Sequence, residues 1–407
     1  MKHIIILGDG MADHPIASLG GKTILQAART PFMNKLAREG RVGLLHTVPD
    51  GFQPGSEIAN LSLLGYDLPT VYEGRGVLEA ASMGIQLADD EMAMRCNLIC
   101  IENDRIKSHS AGHITTDESA PLVEYLNKQF ALLDLPYSVV IHTGIQYRHL
   151  LVVKEGRKEI ETAPPHDFPD QPFRPLLVKA DIAEAQTTAD LLNELIINSQ
   201  RLLAEHPINR KRVAEGKQPA NSIWPWSAGY RPKMQPLSAR FPQIKNGSVI
   251  SAVDLIKGIG RYAGLESIEV EGATGLYDTN YEGKVTAALE ALKEQDFVFL
   301  HIEASDEAGH EGNIALKMRT VEDLDARVVR PVYEAVSTWS EPVSIAILPD
   351  HPTPCELRTH VSDPVPFLIY HPQITPDEVQ TFDEVSVRKG HYGVIEGSGF
   401  IQLFMAE

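Results

Sequence analysis

The chain is poor in cysteine, in positive charge and in long apolar runs. Cys96, Cys100 and Cys355 are the whole cysteine complement of 407 residues. Three cannot all pair within one chain, and their spacing fits no zinc framework, so they read as free thiols in a reducing compartment. Lys and Arg number 37 against 55 Asp and Glu, a formal net charge of −18. That balance argues against a nucleic-acid partner, because phosphate backbones are gripped by clustered Lys and Arg. It argues equally against an anionic membrane surface. An anionic small substrate stays open, since bound cations reverse the local sign of a site. No run approaches the ~20 apolar residues of a membrane span. The opening HIIIL is too short for a signal peptide and has no small-residue cleavage site behind it. The expectation is a cytoplasmic protein.

What is present describes a globular α/β chain. Hydrophobic residues make up 43% and charged residues 23%, enough to bury a sizeable core. The length calls for two domains, or one interrupted by an insertion. Residues 3–7 read as a buried strand punctuated by GDG. PFMNKLAREG has helical spacing and ends at Gly40, and a strand follows over 41–48. The C-terminal part repeats the pattern: DFVFLHIEA as a strand, a long helix over about 313–338, then VSIAILPDH and VPFLIY as strands. The middle differs. It offers strands in MAMRCNLICIE, YSVVIHTG and RHLLVVK, a Pro-rich stretch, a helix over about 188–205, and PANSIWPWSAGYRPKMQP, read as irregular. The expectation is a sheet with helices on both faces, built from 1–88 and 240–407, with an inserted α+β domain over 89–239.

The chemistry lies at strand ends. Asp9, Asp306 and Asp350 each follow an apolar run, and open α/β sheets place ligand sites beyond the carboxyl ends of their strands. His351 adjoins Asp350, and His360 follows nine positions after His351. Asp306 and His310 have the spacing that puts two side chains on one face of a helical turn. Each piece alone also suits a cap, a turn or a surface pair. Together, three carboxylates and three imidazoles supply most of the coordination for two first-row divalent ions, the arrangement that clamps both oxygens of an in-line phosphoryl displacement.

Ser56 follows Pro54 and Gly55 and starts a helical pattern in GSEIANLSLLGYD. It reads either as a helix cap or as a nucleophile, since a helix N-terminus stabilises an anion and a nearby metal lowers a hydroxyl pKa. Ser62 lies inside the apolar helix and reads as packed. Two decoys fall away. GGKT at 20–23 lacks the first glycine of a P-loop, because position 16 is Ile16. The G-x-G-x-x-A match at 258–263 sits within a helical stretch, not between a strand and a helix.

The segments GDGMAD, GSEIANLSLLGYD, GRGVLEAASMGI, DEAGHEG, DHPTPCELRTHVSDPVPF and GVIEGSGFI resemble the cofactor-independent phosphoglycerate mutases, in their shorter, archaeal-type branch of the alkaline phosphatase superfamily. The resemblance runs over essentially the whole chain and is looser in the middle. It implies an alkaline-phosphatase-like domain interrupted by a smaller one. It implies one ion on Asp9, Ser56, Asp350 and His351, and a second on Asp306, His310 and His360. Mn²⁺ is the first candidate, with Zn²⁺ or Co²⁺ fitting the same donors, and no 2,3-bisphosphoglycerate is needed. The implied route is ping-pong: Ser56 takes the phosphoryl group from a small phosphorylated substrate and returns it to the other hydroxyl of trapped glycerate. The insert departs from the pattern. His109 and His113 in SHSAGHITTDE stand where guanidinium groups are expected, leaving Arg148, Arg210, Arg212 and Lys257 as further candidates for substrate contact. A homoserine kinase of the same branch, a plain phosphatase and a non-catalytic binding protein on the same fold stay open as alternatives.

Overall fold

The N-terminal apolar run becomes the strand Lys2–Gly8, buried along its whole length. The computed structural model describes residues 1–406, and this strand lies inside an eight-stranded sheet. The order across the sheet is Glu266–Ser267, Gly247–Ile250, Phe297–Ile302, Lys2–Gly8, Val343–Leu348, Val365–Tyr370, Arg41–His46 and Val394–Glu396. Val365–Tyr370 runs antiparallel to both its neighbours, and the remaining pairings are parallel. Ile4 and Ile6 join a buried cluster with residues of the helices Pro31–Glu39, Tyr281–Glu294 and Ile314–Leu324. Ile5 and Leu7 point to the other face by strand alternation and are just as buried. Both faces are therefore covered, which is why these strands read as continuous apolar runs.

Register decides where the chemistry falls. Gly8 lies opposite Ile302, and Leu7 lies opposite Leu348. Three adjacent parallel strands thus end together, and the residues just past them, Asp9, Asp306 and Asp350, emerge at one edge of the sheet.

The chain forms two compact units, residues 1–72 with the chain from 233 onward, and residues 73–232. Both seams fall earlier than the expected 89 and 239. The helix Arg75–Ser82 belongs with the second unit because Gly76 packs on its strands: a Cβ there would lie 2.8 Å from the Ser227 carbonyl and 3.0 Å from the Arg95 amide. At the other seam, the Tyr66 hydroxyl donates to the Gln235 carbonyl at 2.7 Å, and Arg240 donates to the carbonyls of Leu64 and Gly65. These bonds tie 235–240 to the first unit.

The second unit is α+β, with a five-stranded sheet built around Glu91–Glu102 and helices Thr116–Phe130 and Gln186–Ala204 beside it. The segment expected to be irregular contains a nine-residue strand, Ser222–Tyr230, antiparallel to Glu91–Glu102. Pro225 is tolerated because this is an edge strand. No described helix is long and apolar enough to cross a membrane.

The long C-terminal helix is interrupted by a π turn, Asp325–Val329. The turn aims the buried Asp325 carboxylate at the start of Pro31–Glu39, where it accepts from the amides of Phe32 at 3.1 Å and Met33 at 2.6 Å. Burial pushes its pKa up to about 6. A carboxyl that holds its proton more tightly when folded stabilises the fold at acid pH and loses that contribution as pH rises through about 4 to about 6. Asp325→Asn is therefore expected to flatten the pH profile of the melting temperature across that window, removing a total stability change of at most ~3 kcal/mol. Thermal melts of both proteins at matched pH values check this, and parallel profiles contradict it.

Candidate active site

Asp9, Asp306 and Asp350 are all buried, with 1%, 6% and 0% exposure. Burial first, and then the carboxylates of Asp350 and Asp306, drive the pKa of Asp9 well above the ordinary carboxylate range. Asp306 goes the other way: burial would raise it, but hydrogen bonds with His310 and His360 hold it well below that range. Burial and Asp306 push the neighbouring Glu303 up to about 8. Carboxylates gathered this closely in a low-dielectric site call for a cation.

The imidazoles are oriented to receive one. The Thr353 hydroxyl donates to Asp306 Oδ1 at 2.5 Å, so its oxygen accepts from His351 Nδ1–H at 3.3 Å. The lone pair on His351 Nε2 then faces Ser56 Oγ at 3.2 Å, Asp350 Oδ2 at 3.5 Å and Asp9 Oδ1 at 3.6 Å. His310 donates from Nδ1 to the Arg358 carbonyl at 3.1 Å, and its Nε2 lies 3.2 Å from Asp306 Oδ2 and 2.9 Å from His360 Nε2. The bond with Asp306 raises its pKa to about 9, so Nε2 holds a proton that a cation would displace. Two imidazole nitrogens approaching so closely need a shared proton or a shared cation between them. Asp9 Oδ1 is buried with no hydrogen-bond partner among the described residues. These free donor atoms fit a divalent metal.

Two donor groups stand out, Asp9 with His301 and Asp350, and Asp306 with His351 and His360, each with its donor atoms within 4.8 Å of one another. The seven residues named for metal binding are thus brought to one edge. His351 borders both groups, touching Asp9, Asp350 and Ser56 through Nε2 while its ring lies 3.9 Å from that of His360.

Ser56 is the first residue of the helix Ser56–Leu63, and Gly55 is the cap residue. Its hydroxyl makes no capping bond and faces His351 instead. Asn60, one turn on, donates from its amide to the Ser56 carbonyl at 2.8 Å and to Asp350 Oδ2 at 3.0 Å, which locks the helix to the strand end. Ser62 is buried, as its place in the apolar run implied.

Several partners had no sequence signal. His301 is fully buried inside the strand FVFLHI; Ser251 Oγ lies 3.0 Å from its Nδ1, and its Nε2 lies 2.9 Å from Asp9 Oδ2. Burial lowers its pKa to about 3, so the ring is neutral and donates from Nε2 to Asp9. A histidine within an apolar run looks like strand filling, and only the register with Asp9 reveals it. Thr353 and Asn60 are equally silent residue types.

The candidates for substrate contact separate. In the second unit, the His109 ring lies 5.7 Å from Tyr147 and 6.2 Å from His166, and Arg148 sits over Tyr147 at 5.7 Å. Arg95, not anticipated, lies over Trp226 at 4.4 Å; its pKa is lowered by burial, opposed by Glu79 and furthered by Arg75 and Arg148. His113 is exposed and close enough to His109 to help lower its pKa, after burial and His166. Arg212 is not available: it is buried and spends its guanidinium on Glu118 and the carbonyls of Gln218 and Ala111. Arg210 is an exposed partner of Glu205, and Lys257 is paired with Glu269 and Asp254. These three were expected near substrate because basic residues in sequence do not declare their partners.

Gly10 closes the site. Its φ of +60° suits glycine, and a Cβ would lie 2.5 Å from Asp306 Oδ1 and 2.6 Å from Thr353 Oγ1. Gly10→Ala is expected to cost ~1–3 kcal/mol of stability and to weaken divalent-ion binding. Calorimetric melts and metal titration test it; unchanged values in both contradict this packing.

Residues 37–209 match the family described as 2,3-bisphosphoglycerate-independent phosphoglycerate mutase. A protein of that name from Methanosarcina mazei is 50% identical over 407 residues, covering 100% of both chains. A solved protein from Pyrococcus horikoshii superposes with a TM-score of 0.83 at 32% identity, covering 100% of this chain and 96% of that one. The cofactor-independent phosphoglycerate mutase of Thermoplasma acidophilum superposes with a TM-score of 0.72 at 27% identity, covering 100% and 99%. With its fold, its strand-end donors and relatives that match it from end to end, the chain belongs to the 2,3-bisphosphoglycerate-independent phosphoglycerate mutases.

Proposed function

We infer that the chain interconverts 3-phosphoglycerate and 2-phosphoglycerate, with Ser56 carrying the phosphoryl group between the two hydroxyls. The observation behind this is the Ser56 hydroxyl itself. It stands at a helix N-terminus, free of capping duty, 3.2 Å from His351 Nε2 and beside the convergent carboxylates. Ser56 Oγ bonds to phosphorus as the bond from phosphorus to the substrate oxygen breaks, and the proton that Ser56 gives up ends on that departing oxygen as a hydroxyl. Glycerate then takes the phosphoryl group back on its other hydroxyl, and Ser56 is released.

Two divalent ions are proposed, Mn²⁺ first and Zn²⁺ or Co²⁺ after it. Asp9, Ser56, Asp350 and His351 would hold one, and Asp306, His310 and His360 the other. Bound there, they would supply a lower pKa at the serine hydroxyl and charge compensation for the phosphoryl oxygens. His301 would keep Asp9 turned so that Oδ1 stays free. In the second unit, Arg148, with His109, His113 and His166 near it, offers groups suited to the carboxylate of the substrate, while Arg95 is paired with Glu79. A cytoplasmic setting is proposed on the three cysteines, all free and buried.

The test supplies 3-phosphoglycerate and Mn²⁺ in one reaction, and homoserine with ATP and Mn²⁺ in another. Formation of 2-phosphoglycerate in the first alone is expected; O-phosphohomoserine in the second overturns the assignment. Ser56→Ala is expected to lower kcat by more than about a thousandfold while metal titration still registers binding. Retention of full activity by that variant refutes the phosphoserine route.

A further inference from the structure

We propose that Lys317 is a positioning residue of this centre, whose ammonium fixes the spacing between the loop bearing Asp9 and the loop bearing Asp350 and His351. The proposal rests on the reading that these loops hold divalent ions. Lys317 lies in the helix Ile314–Leu324, with 0% exposure. A lysine is rarely placed so deep, because burying its charge is costly unless every proton finds a partner. Here each does. The three N–H donors go to the Ala12 carbonyl at 3.0 Å, Asp13 Oδ2 at 2.9 Å and the Thr353 carbonyl at 2.8 Å.

Those acceptors come from both loops. Ala12 and Asp13 lie just past Asp9, and Thr353 lies just past His351. The cross-links around the ammonium are dense. Asp13 Oδ2 also accepts from the Cys355 amide at 3.1 Å, and the Thr353 amide donates to the Ala12 carbonyl at 3.3 Å. The Asp13 amide donates to Glu384 Oε1 at 3.0 Å, and the Thr23 hydroxyl donates to Glu384 Oε2 at 2.6 Å. Thr353 passes the constraint inward. Its carbonyl is held by Lys317, while its hydroxyl donates to Asp306 Oδ1 and accepts from His351 Nδ1. Through Thr353 alone, the ammonium therefore sits a single residue away from Asp306 and from His351, which borders both donor groups.

Filling volume does not explain this lysine, because methionine has a similar unbranched reach without the charge. Field strength does not explain it either, because Lys317 and Asp13 form a pair with no net charge. What the pair contributes is direction: three hydrogen bonds that hold two loops at one separation. A two-metal centre depends on that separation, since its ions work ~3.5–4 Å apart.

Two variants test the proposal. Lys317→Met alone strands the Asp13 carboxylate without a partner and risks the fold. Asp13→Asn/Lys317→Met removes both charges, and Lys317→Arg keeps the charge but not the three-way donor geometry. Each is compared with wild type in Mn²⁺ titration by calorimetry and in kcat and KM for 3-phosphoglycerate. The expected result in whichever variant folds is a 10- to 100-fold loss of Mn²⁺ affinity, on the order found for groups that orient metal ligands. A parallel fall in kcat with KM within about threefold is expected beside it. Addition of excess Mn²⁺ is expected to restore part of the lost rate. A purely structural role shifts the melting temperature and leaves Mn²⁺ affinity and kcat within about twofold of wild type, and that outcome overturns the proposal. Wild-type protein that binds no Mn²⁺ overturns the metal reading, and the role of Lys317 with it. Binding to wild type with unaltered variants removes the positioning role alone.

Discussion

The mutual repulsion of Asp9, Asp306 and Asp350 is the constraint around which the first unit is organised. Three buried carboxylates within one small volume would separate or take up protons if the backbone let them. They cannot separate, because adjacent parallel strands fix the points from which they leave the sheet, and Asp9 responds by holding its proton more tightly. Hydrogen bonds then fix how they point. Asp350 Oδ1 accepts from the amides of Gly10 and His351, and its Oδ2 accepts from Asn60. Asp9 is turned by His301, and Asp306 by Thr353. The repulsion is thus stored by the fold and is relieved when cations arrive, so metal binding and local stability are coupled by construction.

The same logic explains why so many neutral residues surround the charges. A carboxylate with every lone pair satisfied by the protein has little left to offer a cation. Asp9 keeps Oδ1 free by giving only Oδ2 to His301. His351 keeps Nε2 free by donating from Nδ1 to the Thr353 hydroxyl, and His310, anchored through Nδ1 to the Arg358 carbonyl, turns Nε2 toward Asp306. A donor held on one side and open on the other is the condition for a site that is rigid yet able to bind.

The strand-end acids are legible in the sequence because they sit where apolar runs stop. Asp9 and Asp350 follow strands whose unbroken hydrophobicity marks them as central, and Asp306 with His310 has helical spacing. The supporting residues were hidden for a physical reason: their roles arise from register, which one strand read alone does not contain. His301 looks like strand interior until Gly8 is set against Ile302. Lys317 looks like a solvated helix charge until the helix is packed. Arg212 looks like a free cation for the opposite reason, since its acceptors Ala111 and Gln218 are carbonyls that no composition reveals. The strand Ser222–Tyr230 was masked by Pro225 and by the turn-forming residues around Ser227, whose φ is +58°. The seam at 73 was misplaced because Arg75–Ser82 has the same apolar helical pattern whichever unit it packs against.

The central strand is made long before its two neighbours, Phe297–Ile302 and Val343–Leu348. During synthesis at ~5–20 residues per second, Lys2–Gly8 waits tens of seconds for either partner. Residues 73–232 have all their own strands long before that and can complete a core while the first unit is still open. For that interval the nascent chain trails an apolar, unpaired strand with both edges bare, the kind of segment on which chaperones act. Order of emergence thus runs against order of assembly, and the helix Ser56–Leu63 leaves the ribosome well before Asp306, His310, Asp350, His351 and His360, which gather beside it.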